Sequence, residues 1–289
     1  MKKLDYQFLK NTIKPRPYNA HKGSMGSLLS ICGSYGMAGA QILSAKSALR
    51  TGVGLLRLLI LKSVYPIVAS VVPEAVYLPI DNGDKLSFDT SNIDIINENI
   101  EKSKALLIGC GLSHNEDTER LVQYLVTNCK ISMVLDADGI NCIANHIHLL
   151  KEKSCDIILT PHPGEMSRLT GLSVKEISSN PQKIAEEFSK EYNVITVLKG
   201  ADTVISNGKE TYISYAGNAG MATGGSGDVL AGIISSLLAQ GYTPLESACC
   251  GVFIHGSAGD ETKNVLGEAS MLPSDVVENI YKVFKNIGQ

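Results

Sequence analysis

Short apolar runs alternate along this chain with longer stretches whose apolar residues recur at helical spacing. The runs 27–32, 54–61, 105–108, 132–135, 156–159 and 194–198 read as buried strands. Turn residues close them, among them Gly33-Ser34, Gly109-Cys110-Gly111, Asp136-Ala137-Asp138-Gly139, Thr160-Pro161 and Lys199-Gly200. Helix-like segments follow the runs, as in 39–50, which carries Ile42, Ala45 and Leu49 on one face. This succession predicts an α/β fold of right-handed βαβ units, with a mainly parallel central sheet flanked by helices on both faces. The pairs 203–205 and 211–214, split by Asn207-Gly208, predict a hairpin instead, because Asn-Gly is a strong turn signal. Three helices are predicted at the end, over 227–239, 244–260 and 273–284. No linker or repeat interrupts the pattern, so residues 1–289 are read as one domain.

Composition narrows the classes. Hydrophobic residues make up 44% and charged residues 19%, ordinary for a large buried core. The net charge is −3, with Lys and Arg spread along the chain, so no nucleic-acid or anionic-membrane partner is expected. The cysteines are scattered, odd in number and without a C-x-x-C pair, which predicts free thiols in a reducing, cytoplasmic setting. Nowhere do eighteen apolar residues run together, and the first 22 residues lack the apolar centre of a signal peptide.

Most of the chemistry sits in Gly217-Asn218-Ala219-Gly220-Met221-Ala222-Thr223-Gly224-Gly225-Ser226-Gly227-Asp228. This stretch opens a helix that carries Val229, Leu230, Ile233, Ile234, Leu237 and Leu238 on one face and stops at Gly241. Successive glycines let backbone N–H groups converge, and the helix start adds open N–H groups and its positive dipole end, an anion cradle suited to phosphate. Asp228 in the first turn is placed to accept a hydroxyl proton while the amides from Gly225 through Ser226 to Gly227 hold a phosphoryl group. That arrangement suits phosphoryl transfer, in which positioning and charge stabilisation do most of the work. A capping Asp after a flexible loop is the plainer alternative. No Walker A loop is present, and His114 stands where the dinucleotide fingerprint starting at Gly109 needs a third glycine.

The G-G-S-G-D stretch resembles the ribokinase-like superfamily. K-G-S-M-G-S-L-L from Lys22, A-G-A-Q-I-L from Ala38, L-D-A-D-G-I-N from Leu135, L-T-P-H-P-G-E-M from Leu159 and L-K-G-A-D-T from Leu198 narrow the match. In that order they resemble the ADP-dependent NAD(P)H-hydrate dehydratases over about residues 20–260. The resemblance implies repair of NADH and NADPH hydrated at the nicotinamide ring: the C6 hydroxyl of the S epimer is phosphorylated from ADP, and phosphate is then eliminated, leaving AMP. It implies adenine-nucleotide binding by Lys199, Gly200, Ala201, Asp202, Thr203 and Gly227, and contact with the hydrated dinucleotide by Ala40, Gly111, His162 and Asp228. It further implies Mg2+ reached through water by Glu165, a homotetramer, and an epimerase on a separate chain.

Plainer roles stand beside several of these. His162 also reads as a helix cap, and Lys199 as a solvated lysine after a strand. Asp136 and Asp138 read equally as helix-start residues or cation ligands. His255 and His21 read as packing or surface residues. A small-molecule kinase acting on a vitamin-precursor alcohol would use the same aspartate and cradle. A nucleotide sensor without turnover is disfavoured by the presence of Asp228.

Overall fold

A computed structural model describes residues 1–289. Ten strands form one sheet: β1 (Lys2–Lys3), β2 (Ser27–Ile31), β3 (Leu55–Leu61), β4 (Val76–Ile80), β5 (Ala105–Ile108), β6 (Ser132–Leu135), β7 (Ile157–Leu159), β8 (Ile195–Leu198), β9 (Thr203–Ser206) and β10 (Thr211–Ser214). Their spatial order is β1-β10-β9-β8-β7-β6-β5-β2-β3-β4. Every neighbouring pair is parallel except β8–β9 and β9–β10. The middle strands read as continuous apolar runs because both of their faces are covered. Ile31, Ile108, Leu135 and Leu159 stand in register across β2, β5, β6 and β7, and none is exposed.

The helices are α1 (Tyr6–Thr12), α2 (Ala38–Thr51), α3 (Tyr65–Ala69), α4 (Ile93–Ile100), α5 (Glu116–Asn128), α6 (Asp138–Ile143), α7 (Pro163–Thr170), α8 (Val174–Ser179), α9 (Pro181–Tyr192), α10 (Ser226–Ala239), α11 (Pro244–Leu266) and α12 (Pro273–Asn286). On one face α2, α10, α11 and α12 pack on one another, and α5 to α9 succeed one another along the other face. The mainly parallel sheet with helices on both faces is as the sequence predicts.

The hairpin forms too. Its four-residue loop is closed by Asn207, whose side-chain oxygen accepts the N–H groups of Lys209 and Glu210. Two strands had no counterpart in the sequence reading. β4 is an edge strand, where Pro79 loses no ladder bond. β1 is a two-residue polar strand on the opposite edge.

One topological feature locates the site. From β2 the chain builds outward through β3 and β4, then returns to the other side of β2 with β5 and builds the opposite way. The connections after β2 and β5 therefore lead to helices on opposite faces of the sheet, and the crevice at the carboxyl ends of the strands beside this switch point is where open α/β sheets bind their ligands.

Candidate functional site

The crevice is lined by the loops after β2, β5, β6, β7 and β8 and by the start of α10. Gly225 caps α10 in the left-handed region, at φ 98°. The backbone N–H of Ser226 donates to Thr223 O at 3.3 Å and that of Val229 to Gly225 O at 3.2 Å. Those of Gly224, Gly225, Gly227 and Asp228 have no partner within the chain. Open amides at a helix start, with the positive dipole end behind them, are the groups an anion cradle would use.

Asp228 lies in the first turn, half-buried. Burial pushes its carboxyl up to about 7, and the neighbouring Asp136 adds to the shift, while the Cys110 thiol and Lys199 pull it back. Its oxygen, one from Asp136 and the Cys110 sulfur all lie within 4.8 Å of one another. The hydrogen bond with the Cys32 thiol, and then burial, hold Cys110 well above the usual thiol range, so it stays protonated and is a poor metal ligand.

Asp136 directly follows β6 and is 1% exposed. It accepts from Thr160 Oγ1 at 2.6 Å and from Lys199 Nζ at 3.0 Å. Lys199 Nζ also stands 3.8 Å from Glu165 Oε2. Burial alone would lower Lys199, but Asp136 and Glu165 outweigh it and raise the ammonium group. A Cβ placed on Gly227 would lie 3.4 Å from that ammonium and 3.8 Å from Asp136 Oδ2. One cation thus sits among three carboxylates at the mouth of the cradle. The sequence left Asp136 and Asp138 equally open, and the structure separates them: Asp138 lies in the first turn of α6 and accepts the Ser113 N–H at 2.9 Å, whereas Asp136 faces the crevice.

Backbone geometry here is special. A Cβ on Gly109, at φ +122°, would collide with Asp136 O at 2.0 Å, so β5 can turn toward β6 only with glycine. Ala137 takes φ 47° without being glycine, a strained conformation costing roughly 1–3 kcal/mol and frequent at functional sites.

The other predicted residues fall around this centre. Ala40 lies in the first turn of α2, and a Cβ on Gly111 would come within 2.7 Å of the Ala40 Cβ, so the two line one wall together. Leu43, one turn further along α2, borders Gly225. His162 caps α7: its Nδ1 accepts from Gly164 N at 3.0 Å, and its own N–H donates to Glu165 Oε2 at 2.7 Å. The cap leaves the His162 ring about half exposed. Glu165 is buried, and burial raises its carboxyl despite Lys199. Gly200, Ala201 and Asp202 form the exposed turn between β8 and β9, and Thr203 opens β9, so of that run Lys199 is the residue aimed inward.

Three residues near the centre were not among the sequence candidates. Thr160 and Cys110 reach Asp136 from neighbouring strand ends. His255, read from sequence as packing or surface, is buried in α11 with Nε2 3.4 Å from Ser226 Oγ. Burial, with Lys199 nearby, lowers it to about 4, so it meets the cradle as neutral imidazole. His21 is exposed.

With a carboxylate, a cation and open amides converging on one point, comparison with known proteins becomes informative. The NAD(P)H-hydrate dehydratase family profile matches residues 28–282. The chain belongs to that family. The ADP-dependent (S)-NAD(P)H-hydrate dehydratase of Neisseria meningitidis serogroup B is 34% identical over 267 residues, covering 91% of this chain and 86% of its own. The bifunctional NAD(P)H-hydrate repair enzyme of Moorella thermoacetica is 35% identical over 99% of this chain but 54% of its own. The chain thus spans about half the length of the bifunctional curated relatives it matches first. Among solved structures, ADP/ATP-dependent NAD(P)H-hydrate dehydratase from Bacillus subtilis, co-crystallised with ATP and Mg2+, superposes with TM-score 0.83 at 26% identity, covering 98% of this chain and 97% of that one. The fold of this family member is ribokinase-like. No helix is long and apolar enough to cross a membrane.

Proposed function

We propose that the chain dehydrates the S epimer of hydrated NADH and NADPH at the expense of ADP. The observation that carries this reading is Asp228, a half-buried carboxylate pushed up to about 7 beside open backbone amides at one helix start. Such a group is near its ideal as a general base at neutral pH. Asp228 takes the proton of the C6 hydroxyl as that oxygen attacks the terminal phosphorus of ADP. The bond to the bridging oxygen breaks and AMP leaves. The amides of Gly225 and Gly227 steady the transferring phosphoryl group, and Lys199 lies within reach of its charge. The ring nitrogen lone pair then expels phosphate from C6, a far better leaving group than hydroxide, and loss of a C5 proton restores the double bond.

Ala40 and Gly111 shape the wall for the hydrated ring, with His162 at its rim. Lys199 to Thr203 flank the nucleotide. Mg2+, when bound, neutralises charge on the phosphates. Glu165 suits it only through water, since its carboxylate already accepts the His162 N–H and faces Lys199. The phosphoryl half of this sequence would also serve a kinase acting on a vitamin-precursor alcohol, and family membership supports the dehydratase. Purified protein incubated with hydrated NADH, ADP and Mg2+ should regain absorbance at the reduced-nicotinamide band. No recovery with ADP or ATP, beside stable phosphorylation of another alcohol, would favour the kinase.

A further inference from the structure

The two helices that flank the crevice border a second concavity at their other ends. α2 and α10 each run 14 residues, about 21 Å at 1.5 Å per residue. Their far ends are therefore out of reach of a mononucleotide held at Asp228. Between those ends, the segment after α1 and the end of α12 lies a cavity of about 690 Å3, within the range of small-molecule sites. Its lining holds Lys14, Arg16, Arg50 and Lys285 and no aspartate or glutamate, on a chain of net charge −3. Three of these cations have no carboxylate partner: Lys14 donates to Asn11 O, Arg16 to Gly52 O, and Lys285 forms no ion pair. Arg50 pairs with Glu278. Solvated surface charge is ordinarily mixed in sign, so three unpaired cations and a fourth beside them around one concavity mark an anion's place. Aromatic walls complete it. Tyr242 is fixed by the Lys14 N–H on its hydroxyl at 3.2 Å, and Tyr281 is 53% exposed.

We propose that this cavity is a separate binding site for a nucleoside monophosphate. Its phosphate rests on Arg16, Arg50 and Lys285, and its base lies against Tyr281 and Tyr242. Guanidinium forks match phosphate oxygens, and aromatic faces stack on any base. The site stands apart from the chemistry at Asp228.

Isothermal titration of the full chain with AMP, in parallel with the double variant R50A/K285A, tests it. Loss of one equivalent of bound AMP in the variant is the expected result. A fall from two to one means that the α10 cradle also holds AMP; a fall from one to none means that the cradle does not, and the cavity site stands in either case. Equal stoichiometry in both proteins, or no binding to the wild type, overturns the proposal. If the double variant does not fold by its melting curve, Tyr281→Ala replaces it. Weakening of AMP at one site by about ten-fold supports the site, and an unchanged isotherm overturns it.

Discussion

α10 contains two regions that differ in almost every physical respect. From Val229 to Ala239 every residue is buried, whereas Ser226, Gly227 and Asp228 are half-buried at the crevice. The body of the helix touches α2 nearly backbone to backbone. A Cβ on Gly232 would fall 2.1 Å from Ser47 Oγ and 2.2 Å from Ser44 O. Ser236 Oγ donates to Ala48 O at 2.8 Å and accepts the Val53 N–H at 3.1 Å, tying the helix to the end of α2. The first turn instead collects unfavourable terms: a left-handed cap, open amides and a carboxyl that burial makes costly to ionise. Across the crevice stands the strained Ala137. Packing along the body offsets these costs and holds the first turn still. With the proposed function, stability and chemistry are segregated along a single helix.

The sharpest way to break this contrast is Asp228→Asn. Removing a general base costs on the order of 10^2–10^4-fold in kcat, and nucleotide binding measured by titration should persist. The same substitution should raise thermal stability at neutral pH. The folded carboxyl titrates near 7 against an ordinary value of 3.8. Between those values the folded chain keeps a proton that the unfolded chain releases, so stability falls as pH rises through this window and stays reduced above it. Asparagine removes that loss. A variant that turns over normally, or melts lower at pH 8, would break the assignment of the strained and functional end to Asp228.

At the other region Gly232→Val should leave kcat per folded molecule nearly unchanged and cost stability. The new side chain meets the Ser44 carbonyl and Ser47, which belong to a packed helix and cannot simply turn away. Overpacking of this kind costs about 1–3 kcal/mol, read as a lower urea midpoint at constant slope. An unchanged midpoint would mean that α2 and α10 are looser than the close approach implies.

The same division governs what the sequence made legible. β2, β3 and β5 to β8 were readable because each is an apolar run between turn residues, and local composition suffices for that. β4 was hidden by Pro79 and by half-exposed neighbours that give no clean alternation. α11 runs to Leu266, past the end predicted at residue 260, because its glycines near that point are not stop signals. A Cβ on Gly256 would strike Ala216 O at 2.3 Å and one on Gly259 the Met221 sulfur at 2.2 Å, so both are there to let the loop before α10 lie against the helix. In the site, Asp228, Lys199 and Gly227 stood out through motifs contiguous in sequence. Thr160, Cys110 and His255 gave no such signal, because their roles arise from strand ends and helices brought together only by folding, 24 to 29 residues from their partners.

The electrostatic part of the contrast is sharpened by pH. If Asp228 is the base, kcat/KM should rise as pH increases through about 7 and level off above it, since the free enzyme must carry the ionised form. His255, held to about 4 by its burial, is neutral throughout and adds no limb in that range. A profile flat from pH 5.5 to 8.5, under conditions where chemistry limits the rate, would remove Asp228 from the proton transfer.

The smallest expected effect isolates the neighbour that helps set that midpoint. Asp136 is the largest charge contribution raising Asp228, after burial, and it also holds Lys199 at 3.0 Å. In Asp136→Asn the repelling charge is gone and Lys199 loses its closest counter-ion, and both changes favour the ionised form of Asp228. The acid limb of the profile should therefore move to lower pH, by a unit or less (~1 kcal/mol). Asparagine keeps an oxygen for the Thr160 hydroxyl, so the turn after β6 should hold its shape. A limb that stays in place would mean that burial alone sets Asp228. A limb that moves upward would mean that Lys199, once released, turns away from the crevice, and that its attraction for Asp228 had depended on the partner removed.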